Sequence, residues 1–142
     1  MKTTNVVHWD LDGTLLDSEP LHVRKLIYVA ESLNVVLTPA DFFKDHTFKV
    51  LDADTNTWID RTTILHGAGD KAIYYWALSK NPGIAEKFSL LDWLTATQAY
   101  YIQHSNELTL RPGVLDSLRA LKSKGIKHHL VTNATQIGRA HV

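Results

Sequence analysis

The chain contains no cysteine, which excludes disulfides and thiolate-held metals. It has no apolar run near the ~20 residues that cross a bilayer. Met1–Asn5 leads straight into a short apolar strand, without the apolar stretch and small-residue cleavage site of a signal peptide. Neither sign of charge is in surplus, with 15 Lys and Arg against 15 Asp and Glu. Without a basic surplus there is no long-range attraction to a phosphate backbone, so nucleic acid is not an expected partner. Repeats and low-complexity tracts are also missing. A soluble protein of one domain, or one domain with a small insertion, fits the 142 residues and 44% hydrophobic content. The expected location is the cytoplasm, with no membrane association.

What is present begins with Val6-Val7-His8-Trp9, a β-prone run ending at Asp10 with Gly13 close behind. This reads as a buried strand opening into a loop. A helical pattern starts near Pro20, and Thr38-Pro39 reads as a further helix start. Helical segments are expected near 56–66, 70–79 and 89–107, the last opened by Ser89 with Asp92 three residues on. Asn81-Pro82-Gly83 is a turn. Arg111-Pro112-Gly113 introduces a helix with Leu115, Leu118 and Leu121, closed by Gly125, and a second strand follows over Ile126–Thr132. Roughly ninety residues between two strands exceed what a simple crossover needs, so they read as an inserted all-helical module. Trp58, Trp76 and Trp93, with Tyr74, Tyr75, Tyr100 and Tyr101, are expected to pack it.

The segment Asp10-Leu11-Asp12-Gly13-Thr14-Leu15-Leu16-Asp17-Ser18-Glu19 carries the chemistry. Open α/β sheets bind ligands at the carboxyl ends of strands, where Asp10 is expected. A carboxylate there can attack phosphorus and form an aspartyl-phosphate. A second carboxylate two residues on, Asp12, can protonate the leaving oxygen and then activate water. Gly13 permits the bend that aims both acids at one point, and magnesium would offset the repulsion between carboxylate and phosphate. The plain alternatives are a solvated turn or a calcium loop. The calcium reading fails on ligand spacing, and a solvated turn rarely follows a buried-type strand in this context.

Residues 6–22 and 111–133 resemble the haloacid dehalogenase superfamily, whose first motif is a hydrophobic strand, Asp-x-Asp-Gly-Thr, and often Asp-Ser-Glu. The resemblance is closest to the phosphoglycolate phosphatase and β-phosphoglucomutase-like group. It implies an α/β fold, a Rossmann-like parallel sheet of which the first two strands are present, with a helical cap inserted after the first motif. It implies Asp10 as nucleophile and Mg2+ ligand, and Asp12 as general acid/base that also binds the metal through its carbonyl. Thr132, with Asn133 beside it, matches the position that hydrogen-bonds the transferring phosphoryl group. His22 sits where mutase-like members carry a linker histidine, or is an ordinary helix-surface residue. Lys71, after Gly67-Ala68-Gly69-Asp70, matches a cap loop that meets substrate, or is an exposed lysine in a helix–helix turn. His128 and His129 occupy strand positions that are usually apolar in the family.

The resemblance also marks departures. The family's later lysine and acidic pair have no counterpart, because the last lysine is Lys127 and the last acid Asp116. Little or no turnover by this chain alone is therefore expected, and the two-strand sheet should leave an open edge. Ile137–Val142 back-translates into a sequence that reads like a common sequencing adapter, so 137–142 is expected to be a non-native tail on a C-terminally truncated chain. The expected organisation is a partial core from 1–18 and 109–136, with the cap from 19–108. The expected activity is hydrolysis of small phosphomonoesters, with a phosphosugar mutase or a non-catalytic phosphate- or partner-binding remnant as competing readings. Substrate identity and oligomeric state are not legible.

Overall fold

The computed structural model describes residues 5–11 and 14–131. Its elements run β1 (Val6–Asp10), α1 (Glu19–Ser32), β2 (Asp45–Asp52), β3 (Thr57–Ile64), α2 (Asp70–Lys80), α3 (Ile84–Lys87), α4 (Leu90–Gln103), α5 (Val114–Ser123) and β4 (Lys127–Val131). Short 3-10 turns cover Pro39–Phe43 and Ser105–Glu107. The described residues divide into two compact units, those within 1–22 and 102–142, and those of 23–101. Mixed α/β architecture with a small parallel sheet is thus the fold class.

In the first unit β1 and β4 pair in parallel, Val6 with Lys127 through Asp10 with Val131. A parallel pair needs a crossover, and everything between the strands supplies it. The last part of that crossover is α5. Its C-terminus closes as its sequence indicates: Gly125 takes φ 74° and the Ile126 N–H reaches the Leu121 carbonyl at 3.1 Å.

The second unit has its own core, in which Trp93, Leu65, Ile73, Trp76 and Ala77 are buried together with Val29, Ala30 and Phe48. Helix α4 starts with a reciprocal cap: Ser89 N–H donates to the Asp92 carboxylate at 2.9 Å, and Asp92 N–H to Ser89 Oγ at 3.1 Å. Lys25 of α1, almost wholly buried, meets the Asp70 carboxylate at 2.9 Å and lies 5.4 Å from the Tyr101 ring centroid. The Trp93 indole donates to the Asp70 carbonyl at 2.8 Å. Asp70 is therefore a point where α1, α2 and α4 are tied.

The inserted region is not all-helical. β2 and β3 form an antiparallel hairpin, with Asp45 opposite Ile64 and Asp52 opposite Thr57, where 56–66 was expected to be helix. β3 is rich in β-branched and aromatic residues (Thr57, Trp58, Ile59, Thr62, Thr63, Ile64) that suit a strand and lose rotamer freedom in a helix. The connection suits a tight turn: Asp54 N–H bonds the Asp52 side chain at 3.0 Å, and Asn56 takes φ 53°. The hairpin also changes the role of Trp58. It is 54% exposed on β3 rather than packed in a core, unlike Trp76 at 2% and Trp93 at 0%.

Candidate active site

The loop that follows β1 alternates outward acids with inward leucines. Asp10 and Thr14 are exposed, while Leu11, Leu15 and Leu16 are buried with Trp9, Leu108 and Val114 packed against them. Backbone bonds close the loop, since Leu15 and Leu16 N–H both donate to the Leu11 carbonyl, at 3.1 and 3.0 Å. Its far side is stitched to the segment before α5: Asp17 N–H donates to the Thr109 carbonyl at 2.8 Å and Arg111 N–H to the Leu15 carbonyl at 2.9 Å. The arrangement leaves the Asp10 carboxylate at the carboxyl end of a strand with its backbone fixed on both sides, the situation a nucleophilic side chain needs.

Of the six candidate residues, Asp10, His22 and Lys71 are among those described, and Asp10 is exposed at the carboxyl end of β1. Asp12, Thr132 and Asn133 lie outside the described residues. His22 is half-buried in α1, in the first unit. Lys71 is exposed in the first turn of α2, after Gly69 (φ 92°), in the second.

Two features of the strand pair were not read as site structure from the sequence. The Trp9 indole donates to His128 Nδ1 at 2.9 Å, and His128 Nε2 is buried with no partner among the described residues. Neighbouring polar residues on parallel strands can satisfy each other in this way, which accounts for a histidine in a position that suits an apolar side chain. On the opposite face His8 and His129 meet edge to face at 5.3 Å. Ser18, the residue before α1, is 1% exposed, and its hydroxyl has no partner among the described residues.

Magnesium favours hard oxygen donors and keeps several waters in an octahedral shell. An exposed Asp10 carboxylate fits one position of such a shell. Among the described residues no group of three His, Asp or Glu side chains converges to hold a metal.

A family model of haloacid dehalogenase-like hydrolases matches residues 4–142. The chain belongs to that family. A comparison with curated proteins gives no match. Among solved structures, the chain is similar to a HAD hydrolase of family IA, variant 3, from Entamoeba histolytica, at TM-score 0.69 and 17% identity, covering 98% of this chain and 53% of that one. It is also similar to a predicted phosphoglycolate phosphatase from Haemophilus somnus, at TM-score 0.62 and 22% identity, covering 96% and 54%. CbbY from Rhodobacter sphaeroides, in complex with phosphate, aligns at TM-score 0.54 and 17% identity, covering 96% and 54%. At these identities the likeness is one of fold. The haloacid dehalogenase-like chain spans about half the length of these structures. No helix of its described residues is long and apolar enough to cross a membrane.

Proposed function

We infer that this chain carries the nucleophile side of a phosphomonoester hydrolase acting on small phosphorylated metabolites. The observation that carries the reading is the exposed Asp10 carboxylate at the end of β1, beside β4, in an Asp-x-Asp-Gly-Thr context. The phosphate bound to CbbY supports a phosphoryl ligand for this fold.

In the proposed chemistry an Asp10 oxygen attacks phosphorus, and the bond from phosphorus to the leaving alkoxide breaks as the acyl phosphate forms. Asp12 gives its proton to the leaving oxygen, then takes one from the water that attacks phosphorus, which frees Asp10 and releases orthophosphate. Thr132 and Asn133 would donate hydrogen bonds to the non-bridging oxygens. His22 would assist Asp12, and Lys71 would meet an anionic part of the substrate. Asp10 and Asp12 would hold magnesium, which when bound supplies positive charge between carboxylate and phosphate. No lysine follows Thr132 in the sequence to neutralise the phosphoaspartate, so turnover by this chain alone should be slow.

The test is orthophosphate release from an aryl phosphomonoester with magnesium present, a substrate whose good leaving group needs little help from Asp12. The reading expects a slow release that Asp10→Asn abolishes. Release unchanged in Asp10→Asn contradicts it. Formation of an isomeric phosphosugar in place of orthophosphate would move the assignment to a mutase.

A further inference from the structure

Within the 23–101 unit, one face of the β2–β3 hairpin and the side of α2 line an open groove of about 520 Å³. The strand register sets Lys49 opposite Asp60 and Leu51 opposite Trp58, so Lys49, Asp60 and Trp58 share that face. The Trp58 ring meets the Tyr75 ring of α2 at 5.7 Å between centroids and 86° between planes. Two aromatic rings at right angles thus form a corner, which Leu78 and Pro82 extend with apolar surface.

The polar groups of the lining narrow the choice of ligand. The Thr47 hydroxyl is bonded to Thr62 and the Ser79 hydroxyl donates to the Trp76 carbonyl; both keep some bonding capacity but bring no charge to the site. The charged residues of the lining are Lys49 and Asp60, an ion pair at 3.1 Å whose side chains are 68% and 69% exposed. Pairs this exposed hold weakly, and a lysine stem swings readily into water. An anion drawn to Lys49 would lie by the negative face of the exposed Trp58 ring and beside a carboxylate. A cation meets the Trp58 face favourably and replaces Lys49 at Asp60, with Tyr75, itself buried, set edge to face against Trp58. A compact, strongly hydrated cation would lose its water in this apolar corner, whereas an alkylated ammonium has little hydration to lose. The volume falls within the range of small-molecule sites.

We propose that this groove is a binding site for a small quaternary ammonium compound, its alkylated head in the Trp58–Tyr75 corner and its charge beside Asp60. This site is independent of the chemistry at Asp10.

The experiment titrates the full chain with choline and, separately, with 3,3-dimethylbutan-1-ol, its neutral carbon counterpart, following the Trp58 indole N–H resonance. Choline should give a saturable shift and bind about tenfold more tightly than the alcohol. Asp60→Asn should weaken choline and leave the alcohol unchanged, while Lys49→Met should tighten choline by releasing Asp60. Trp58→Leu identifies the resonance and, followed through other lining signals, should abolish binding. All three positions are more than half exposed, and an unchanged thermal melt separates loss of the site from loss of the fold. Equal affinity for choline and the alcohol, or no saturable shift, overturns the proposal. A trimethyllysine peptide that binds more tightly than choline overturns the small-molecule assignment.

Discussion

In residues 23–101 a tryptophan, Trp93, is completely buried and surrounded by a continuous core, whereas the unit that carries Asp10 gathers three leucines, Leu11, Leu15 and Leu16, into a small cluster. Helix α5 of that unit has an amphipathic pattern yet buries no residue, and Leu115 is 45% exposed. The 23–101 unit is held by packing, while the Asp10 unit is held mainly by backbone pairing, through the β1–β4 ladder and the bonds joining Leu15 and Asp17 to Arg111 and Thr109. Elements that take part in function are commonly drawn from the less stable end of a structure. Here the candidate nucleophile sits on the more lightly packed of the two units.

The largest expected effect lies in the packed unit. Trp93→Ala removes a buried indole and its hydrogen bond to the Asp70 carbonyl, and should cost about 3–5 kcal/mol in urea unfolding followed by far-ultraviolet dichroism. A loss near zero would mean that this core does not hold the unit. Asp70→Asn comes next, because it leaves the buried Lys25 ammonium beside a neutral amide; about 2–3 kcal/mol is expected, with Asp70 itself partly exposed. The double variant Lys25→Met/Asp70→Asn should recover much of that loss, and a strictly additive result would show the pair uncoupled.

In the lighter unit, Leu16→Ala should cost about 2 kcal/mol, the low end for a leucine, since its cluster is small. Hydrogen exchange should then quicken in β1 and β4 and stay unchanged in β2 and β3. Equal acceleration in both strand pairs would erase the distinction between the units.

The smallest effect concerns Asp41. The Thr38 backbone N–H, donating to its carboxylate at 2.9 Å, holds Asp41 below its ordinary value of 3.8, helped by the Thr38 hydroxyl and Lys44 and opposed by burial. A depressed folded value stabilises the protein above the unfolded value, and the gain disappears as pH falls through the folded one. Asp41→Asn should therefore lower the stability slightly at neutral pH, by under about 1 kcal/mol in urea unfolding, with the difference closing below pH 3.8. A difference that persists in acid would assign the effect to something other than this carboxylate.

Much of the fold was legible because its signals are local. The apolar run before Asp10, the Ser89–Asp92 cap and the glycine at 125 each dictate structure within a few residues. The hairpin was missed because Phe48, Leu51, Trp58 and Ile59 supply apolar surface at spacings that a helix can also use, and the choice between periods rests on cross-strand pairing, such as Val50 with Ile59, that periodicity within one segment does not show. The β-branched content of β3 and the Asp52–Asn56 turn were the available signals. Of the candidate site, the strand end at Asp10 could be read because a β-prone run followed by acids and glycine is a local pattern. The Trp9–His128 bond spans 119 residues and no spacing rule announces it. The exposure of Trp58 likewise depends on the hairpin, so the groove beside it could not be foreseen once that segment was read as helix.

The most direct test of the central claim is to trap the phosphoryl group on the protein. The chain would be incubated with magnesium and a reactive low-molecular-weight phosphoryl donor, quenched in acid, reduced with borohydride and mapped by mass spectrometry. The account predicts conversion of Asp10 to homoserine, dependent on the donor and absent from Asp10→Asn. Reduction at a different acid, or none in the parent chain, would contradict the assignment of Asp10 as the nucleophile.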